Sequence, residues 1–275
     1  MLALGAAADA QPAPVLHPWP DATGVPLEER LAPPEGCARV PAAPGSFAAW
    51  LRRLPLRPGR PPVHLHDGRL KGNQEAHEAV VAIDVGGRDL QHCAAAVIRL
   101  RAEWRWARGC EDAIAFRFPS GDLARWTAWR SGARPRVAGS RVRWVTGATA
   151  AGSSPSFRRY LDVVFTYAGS ASLAGELQPV SDPLGVVGGD VFIQGGHPGH
   201  AVLVVDVAVD SAGHRIFLLA QSYMPAQEIH ILRNPAGGGS PWYDAARAGE
   251  LVTPEWVFRH SDLRRFPAST CGGSP

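Results

Sequence analysis

Residues 188–232 constrain the fold more than any other stretch, because apolar runs alternate there with turn-forming segments. The runs are rich in valine, isoleucine and leucine, and Gly/Pro and Asp-Ser-Ala-Gly segments separate them, which predicts an antiparallel meander. If the turn centres on residues 211–212, His200 lies opposite Tyr223, and Gln221 lies about one pair away at the same open end. A histidine beside a side-chain amide is a familiar way to orient a catalytic imidazole.

Helical patterns precede this meander, and that order predicts an α+β fold with N-terminal helices and an antiparallel sheet. Ser46 is the expected cap of a short amphipathic helix, and Asp89 that of a longer helix over residues 90–106. Residues 136–145 have the pattern of a hairpin around a Gly-Ser turn.

Composition suggests where the domain begins and ends. Residues 1–45 are rich in proline and alanine with little periodicity, which predicts an arm or linker. Residues 46–267 are predicted to form a single domain, since a chain of 275 residues can bury a substantial core. Residues 268–275 are expected to be a disordered tail.

Charge and hydropathy exclude several classes of partner. The net charge of +3 is small and evenly spread, so we expect no nucleic-acid partner. No apolar run is long enough for a membrane-spanning helix, so no transmembrane segment is predicted. Residues 1–10 resemble the end of a secretory signal, which predicts export to the periplasm or cell envelope, with the cytoplasm as the alternative. The oligomeric state is not determined by these features.

The cysteines and histidines argue against a metal centre. The four cysteines show no C-x-x-C spacing, and Cys37 and Cys271 near the two ends are the pair suited to a disulfide in an oxidising compartment. A metal site at His197 and His200, joined by His214 or His230, is the alternative. Its spacing crosses Pro-Gly rather than a helix, so we predict no metal and no cofactor.

Cys93 is the candidate nucleophile, and two interpretations of it stay open. It falls in the first turn of a predicted helix, where unpaired amide groups and the helix dipole would lower the thiol pKa. A cysteine on a helix, followed by histidine and then a polar residue on strands, is the chain order of papain-like hydrolases. Cys93 also lies on the apolar stripe of its helix, where cysteine commonly fills the core.

Further side chains are candidate substrate contacts. Lys71 is the only lysine of the chain, and Asn73 and Gln74 follow it in a polar loop that either binds substrate or closes on itself. Gln91 or the amide of Cys93 is the expected oxyanion donor. The remaining candidates are polar or aromatic residues in or near the meander, and for the acidic one a structural role is the alternative: Asp190, Gln194, Tyr223 and Trp242.

The chain resembles a bacterial family catalogued as domain of unknown function 4846. The resemblance rests on six ordered segments spanning about residues 46–266, namely 67–77, 84–94, 157–162, 189–202, 219–230 and 240–243. That family carries no assigned activity, so membership implies little about chemistry.

Residues 189–205 are also similar to the histidine strand of the NlpC/P60 and CHAP amidases, papain-like cysteine peptidases that act on cell-wall peptides. This resemblance implies an NlpC/P60-like arrangement with Cys93 as nucleophile, His200 as general base and Gln221 as the orienting residue. It also implies an insertion over about residues 108–155, whose tryptophans would line part of a substrate cleft.

Two functions are therefore expected. The first is a papain-like thiol hydrolase that cleaves an amide or peptide bond, with a cell-wall peptide or glycopeptide as substrate. The second is a non-catalytic envelope module that binds a glycan or peptide through Lys71, Tyr223 and the tryptophan loops.

Overall fold

The computed structural model describes Trp19 and residues 23–268. Its helices are α1 (Leu27–Arg30), α2 (Phe47–Arg52), α3 (Cys93–Ala107), α4 (Trp126–Arg130), α5 (Ser154–Tyr167) and α6 (Ser170–Glu176), with 3₁₀ turns at Gln74–Ala76, Glu111–Ala113, Pro183–Gly185 and His260–Asp262. Within this described part of the chain, no helix has both the length and the apolar character needed to cross a membrane.

The strands are short except in the meander. They are β1 (Val25–Pro26), β2 (Cys37–Arg39), β3 (Pro55–Leu56), β4 (His77–Val80), β5 (Ala115–Arg117), β6 (Leu123–Arg125), β7 (Arg134–Ala138), β8 (Arg141–Val145), β9 (Gln178–Pro179), β10 (Val191–Gln194), β11 (His200–Asp210), β12 (Arg215–Gln221), β13 (His230–Leu232), β14 (Tyr243–Asp244), β15 (Leu251–Val252), β16 (Val257–Phe258) and β17 (Leu263–Arg265).

The central sheet is antiparallel and runs in the order β4-β13-β12-β11-β10-β17-β9. Strands β2 and β14 extend it near the β11–β12 turn, where they pair with β11 and β12 respectively. Four two-stranded ribbons, β1–β3, β5–β6, β7–β8 and β15–β16, lie outside it. The predicted α+β class with an antiparallel sheet is confirmed.

The β11–β12 hairpin is the centre of the fold and is covered on both faces. Leu203 and Val205 pack towards the helices, whereas Val202 and Val204 pack towards the aromatic residues of β14 and β16. Burial on both faces explains why β11 has a continuous apolar sequence instead of an alternating one.

The register of this hairpin places the predicted residues together. Leu203 pairs with Ala220, and a bulge after Val204 shifts the pairing by one residue towards the turn. Extending the register outwards puts His200 opposite Tyr223, and their ring centroids are 4.8 Å apart. The predicted opposition of these two side chains is confirmed.

The predicted N-terminal arm was too long. Residues 1–18 lie outside the described part, but β2 pairs with β11 and Leu27 is fully buried, so the fold begins well before residue 46. Apolar side chains among the prolines gave too weak a periodic signal to reveal this packing. The predicted tail lies outside the described residues from 269 onwards.

The cysteines differ from the expected pairing. Cys37 and Cys93 are free and half-buried, whereas Cys110 is disulfide-bonded. Cys271 lies outside the described residues. The suggested Cys37–Cys271 disulfide is therefore wrong, because Cys37 forms part of β2 and retains its thiol.

A buried carboxylate fixes the N-terminal region to the hairpin. Asp206 has no exposed side-chain surface, and its two oxygens accept from Arg39 Nε at 2.7 Å and Arg52 Nε at 2.5 Å. The bulge after Val204 turns this carboxylate towards β2 and α2. Removing one partner of such a group leaves uncompensated charge in the interior.

We expect Asp206→Ala to lower the free energy of unfolding by about 3 kcal/mol, because both guanidinium groups lose their carboxylate. Urea denaturation followed by circular dichroism measures this loss. The exposed Asp112→Ala is the matched control, and its change should stay within about 0.5 kcal/mol. Equal effects of the two substitutions would contradict the anchoring role.

Candidate functional site

A chain of hydrogen bonds runs from the open end of the hairpin into the interior. His200 Nε2 lies 2.8 Å from Gln221 Oε1, and Gln221 Nε2 donates to Glu255 Oε2 at 2.7 Å. Glu255 in turn forms an ion pair with Lys71, whose side chain is only 5% exposed. His200 and Gln221 occupy diagonal positions of the β11–β12 register, which explains how they meet.

The partners in this chain determine the orientation of each polar group. A carboxylate can only accept, so the amide nitrogen of Gln221 must face Glu255 and its oxygen must face His200. His200 Nε2 therefore carries the proton and donates it to Gln221, which leaves a lone pair on Nδ1. The second amide hydrogen of Gln221 is directed at His230 Nε2, 3.4 Å away, while His230 Nδ1 donates to the Glu228 carbonyl at 2.9 Å.

Aromatic rings enclose the imidazole of His200. Besides Tyr223, Trp256 and Phe258 lie 5.3 and 5.9 Å from it between ring centroids. Lys71 Nζ lies 5.5 Å from the centre of the Tyr223 ring, so the ion pair and the aromatic wall are in contact. His200 itself is 2% exposed.

This environment keeps both histidines neutral. Burial lowers the pKa of His200 to about 4, although the bond to Gln221 opposes the shift and the Lys71 charge adds to it. Burial also lowers the pKa of His230 to about 3, against the opposing bond to the Glu228 carbonyl. The imidazole of His200 is therefore neutral at neutral pH, with one proton on Nε2 and a lone pair on Nδ1.

Cys93 lies against the strand that carries this histidine. It is the first residue of α3 and is half-buried, and the backbone N–H of Ala201 is directed at its sulfur. Ala201 directly follows His200 in β11. A Cys93 thiolate would also raise the pKa of Tyr223, after the larger effects of burial and Glu255. The structure thus brings His200, Gln221 and Tyr223 together, and Cys93 lies against the residue that follows His200 in β11.

The expectation of a lowered Cys93 pKa is wrong. Burial raises the pKa of this thiol, and hydrogen bonds from the amides of Ala201, Ala94 and Cys93 only partly offset it. The helix begins at Cys93, and not at residue 90, because Asp89 bonds the Ala226 amide and the His92 ring instead of capping. The same apolar packing that places the sulfur beside the sheet disfavours its charge.

Asp190 and Gln194 lie at opposite ends of β10 and serve different contacts. Asp190 has no exposed surface and forms two hydrogen bonds with Arg265 at 2.6 and 2.7 Å, so it ties β17 to β10 away from His200. Gln194 pairs with His200 across the strands and accepts from Trp256 Nε1 at 3.0 Å. Gln194 therefore holds one aromatic wall of the site, whereas Asp190 is structural.

The loop after Lys71 closes on itself. Asn73 accepts from the Glu75 amide at 3.1 Å, and the amide of Gln74 bonds both backbone groups of Val63 and the Lys71 carbonyl. These bonds use the side chains that were candidate substrate contacts. Within this loop, Lys71 belongs to the site, and Asn73 and Gln74 shape the turn that delivers it.

Gln91 and Trp242 are also held by the fold. Gln91 is fully buried, and its oxygen accepts from Arg99 at 2.5 Å while its nitrogen lies 3.5 Å from the Gln227 carbonyl. Trp242 is buried and donates to the Ala32 carbonyl at 3.0 Å. Of the two expected oxyanion donors, the amide of Cys93 therefore has the better position.

Glu255 is a residue of the site that the sequence did not reveal. It follows Pro254 in a short loop segment between β15 and β16, and nothing in its spacing pointed to Lys71. The available signal was the single lysine of the chain, since a buried lysine requires a carboxylate partner. Among the described residues no group of three or more His, Cys, Asp or Glu side chains could hold a metal ion.

A cavity of about 600 Å³ lies elsewhere in the molecule, lined by Trp19, Asp84, Arg99, Trp106 and Arg158 among others. It contains none of the residues around His200. Arg99 already bonds Glu103 and Asp84, and Arg158 bonds Asp84 and Asp162, so the charges in its wall compensate one another.

Comparison with known proteins assigns the family. The profile described as "Domain of unknown function (4846)" matches residues 27–265, which is most of the chain. The chain belongs to this family. The matched range begins at α1 and ends in β17, in agreement with the extent of the fold. Searches of curated proteins and of solved structures returned no match.

The depressed pKa of His200 predicts a pH-dependent stability. The unfolded imidazole, with its ordinary pKa of 6.5, binds a proton that the folded imidazole rejects until about pH 4. Stability is therefore lost as the pH falls through this window. His200→Gln should reduce the change in unfolding free energy between about pH 7 and pH 5 by roughly 2 kcal/mol, as measured by urea denaturation. An unchanged pH dependence would contradict the neutral, buried imidazole.

Proposed function

We propose that this protein is a thiol hydrolase that cleaves an amide or peptide bond, with Cys93 as nucleophile, His200 as general base and Gln221 as the orienting residue. The observation that carries the proposal is the chain of polar contacts Lys71–Glu255–Gln221–His200. The residue after His200 is Ala201, and its backbone N–H is directed at the Cys93 sulfur. A thiol at a helix N-terminus that contacts the histidine-bearing strand of an antiparallel sheet supports a papain-like arrangement.

The protonation states of His200 and Cys93 fit this chemistry. Because Nε2 of His200 is bound to Gln221, the lone pair on Nδ1 is available to take the thiol proton. The Cys93 thiol is neutral at rest, since burial raises its pKa, so the proton leaves as sulfur attacks and not before. This is general-base catalysis by a neutral pair, in place of a preformed thiolate and imidazolium.

The reaction then proceeds in two halves. Sulfur bonds to the carbonyl carbon, the imidazolium gives its proton to the leaving amine, and the C–N bond breaks to give a thioester. Water attacks the thioester with His200 again as base, and the acid and the thiol are released. The amides of Cys93 and Ala94 open α3 without intrahelical acceptors, so they are the groups suited to the oxyanion.

Two observations support a cell-envelope substrate. The likeness of residues 189–205 to the histidine strand of NlpC/P60 and CHAP amidases points to a cell-wall peptide or glycopeptide. The disulfide at Cys110 supports an oxidising compartment such as the periplasm.

Exposed Leu70 and Met224 directly adjoin Lys71 and Tyr223 in sequence, and apolar surface of this kind favours a substrate with apolar side chains.

The two free thiols of the described chain provide an internal comparison. We expect iodoacetamide to alkylate Cys93 at least about 10-fold faster than Cys37 near neutral pH, because both are half-buried but the proposed mechanism gives only Cys93 a general base, His200. Mass spectrometry of the folded protein measures both rates in one sample. His200→Gln should bring the Cys93 rate down to that of Cys37.

Hydrolysis is tested on purified bacterial peptidoglycan by the release of free amino groups. Wild type should release them, and Cys93→Ser should not, with Cys37→Ser as the matched control that retains activity. Fast alkylation without hydrolysis of peptidoglycan would redirect the search for substrate to other amides. A Cys93 no more reactive than Cys37 would remove the nucleophile and favour the binding module.

Glu255 is predicted to be a positioning residue. In Glu255→Gln the new amide can donate to Gln221, which then turns its own nitrogen towards His200 and drives the imidazole proton from Nε2 to Nδ1. We expect the alkylation rate of Cys93 to fall roughly 100-fold, since the base atom is lost. Nitrogen NMR of the histidines should show the change of tautomer, which a purely structural role would not produce.

The exposed Glu250→Gln is the control for this substitution, because it makes the same chemical change on the surface of the same region. It should leave both the alkylation rate and the tautomer unchanged. Retention of the Nε2–H tautomer in Glu255→Gln would show that Glu255 does not orient the site.

A further inference from the structure

The β7–β8 ribbon carries arginine on one face only. Cross-strand partners share a face of a ribbon, and the register pairs Arg136 with Arg143 and Ala138 with Arg141. The opposite face carries Val137, Val142 and Trp144, of which the last two pack on the main core. We call the exposed residues Arg136, Arg141 and Arg143 the arginine face.

The arginine face lacks compensating charge. Across residues 23–268, no carboxylate lies within ion-pairing distance of any of its three guanidinium groups. Other arginines of the chain behave differently: Arg39 pairs with buried Asp206, and Arg265 with buried Asp190. The chain's general use of arginine in place of lysine accounts for the residue type but not for this lack of partners.

Two further arginines extend the basic surface at the base of the ribbon. Arg134 lies on the same face and stacks over the ring of Trp129, 3.8 Å from its centre. The exposed Arg159 on α5 is close enough that its charge, after burial, lowers the pKa of Arg134. Glu111, whose carboxylate pairs with Arg130 of α4, is not among the partners of these arginines.

This arrangement costs stability. Like charges directly opposite each other on two strands repel, and Arg136 faces Arg143 in this way. An anionic partner that covers the face would relieve this repulsion. The surface is therefore better explained by a bound polyanion than by the requirements of folding.

We propose that the arginine face docks the protein on a lipid bilayer whose headgroups are anionic. Positive charge on an open ribbon face is complementary to a layer of phosphate headgroups, and arginine binds phosphate through paired N–H donors. The face carries no large apolar side chain for insertion, so the attachment is electrostatic and reversible. The disulfide at Cys110 indicates an oxidising compartment, where an anionic membrane surface is available and nucleic acid is not the usual polyanion.

The experiment uses the full chain and vesicles of phosphatidylcholine with or without about 30% phosphatidylglycerol, separated by flotation. Wild type should bind only the anionic vesicles, and added salt should release it, because exposed charges are screened. Each arginine near an anionic surface strengthens binding roughly fivefold, so Arg136→Gln with Arg141→Gln and Arg143→Gln should weaken it about 100-fold.

The matched control replaces three exposed arginines elsewhere, Arg69→Gln with Arg247→Gln and Arg259→Gln, which removes the same net charge. Its binding should remain within about threefold of wild type, since only local charge touches the membrane. An equal loss in both triple variants would reduce the effect to net charge and overturn the proposal. Failure of wild type to bind anionic vesicles, or tight binding of duplex RNA in their place, would overturn it as well.

Folding of the variant is checked by thermal unfolding. Removing the arginine face should leave the melting temperature unchanged or raise it, because the repulsion between Arg136 and Arg143 disappears. A fall in melting temperature would mean that the three side chains serve folding and would contradict the docking role. The vesicle assay does not depend on Cys93, so it is independent of the proposed hydrolase.

Discussion

The antiparallel pairing of β11 with β12 is the constraint on which the rest of the structure depends. Both strands are buried on both faces, so a slip of one residue would move every side chain to the wrong core. The same register that satisfies the apolar residues also sets His200 diagonal to Gln221 at the open end. Packing of the hairpin therefore fixes the polar site as a consequence.

Gln221 links the imidazole of His200 to the Glu255–Lys71 ion pair, so the ring is oriented without a charged group in direct contact with it. Its amide accepts from His200 and donates to Glu255, and Glu255 is neutralised by Lys71. A carboxylate in direct contact with His200 would favour the imidazolium, whereas the neutral amide leaves burial as the dominant effect. The result is an imidazole with a defined tautomer and no charge.

The electrostatics of the remaining molecule follow a different pattern in the core and at the surface. Inside, each carboxylate is matched: Asp206 by two arginines, Asp190 by one, and Glu103 by Arg99. On the β7–β8 ribbon the positive charges have no carboxylate partner, and because they are exposed to water their mutual repulsion costs little stability. Compensated charge holds the fold together, and uncompensated charge is available for a partner.

The amino-acid sequence by itself determined the local structure. Apolar runs separated by turn-forming segments specified the meander, and the Gly-Ser pair specified the β7–β8 turn. Because these signals are local, they also predicted that His200 lies opposite Tyr223 and beside Gln221. Candidate residues in the same segments were harder to sort, since Asp190 and Gln194 carry similar polar groups but face different partners.

Only the tertiary structure decided which distant residues meet and how burial changes their chemistry. Glu255 joined the site because the chain returns through a loop between β15 and β16, a contact with no sequence spacing to reveal it. The helix dipole at Cys93 favoured a lowered thiol pKa, but desolvation outweighed it once α3 packed on the sheet. Pairing and turns are read from neighbours along the chain, whereas desolvation and ion pairing depend on residues that are neighbours only in space.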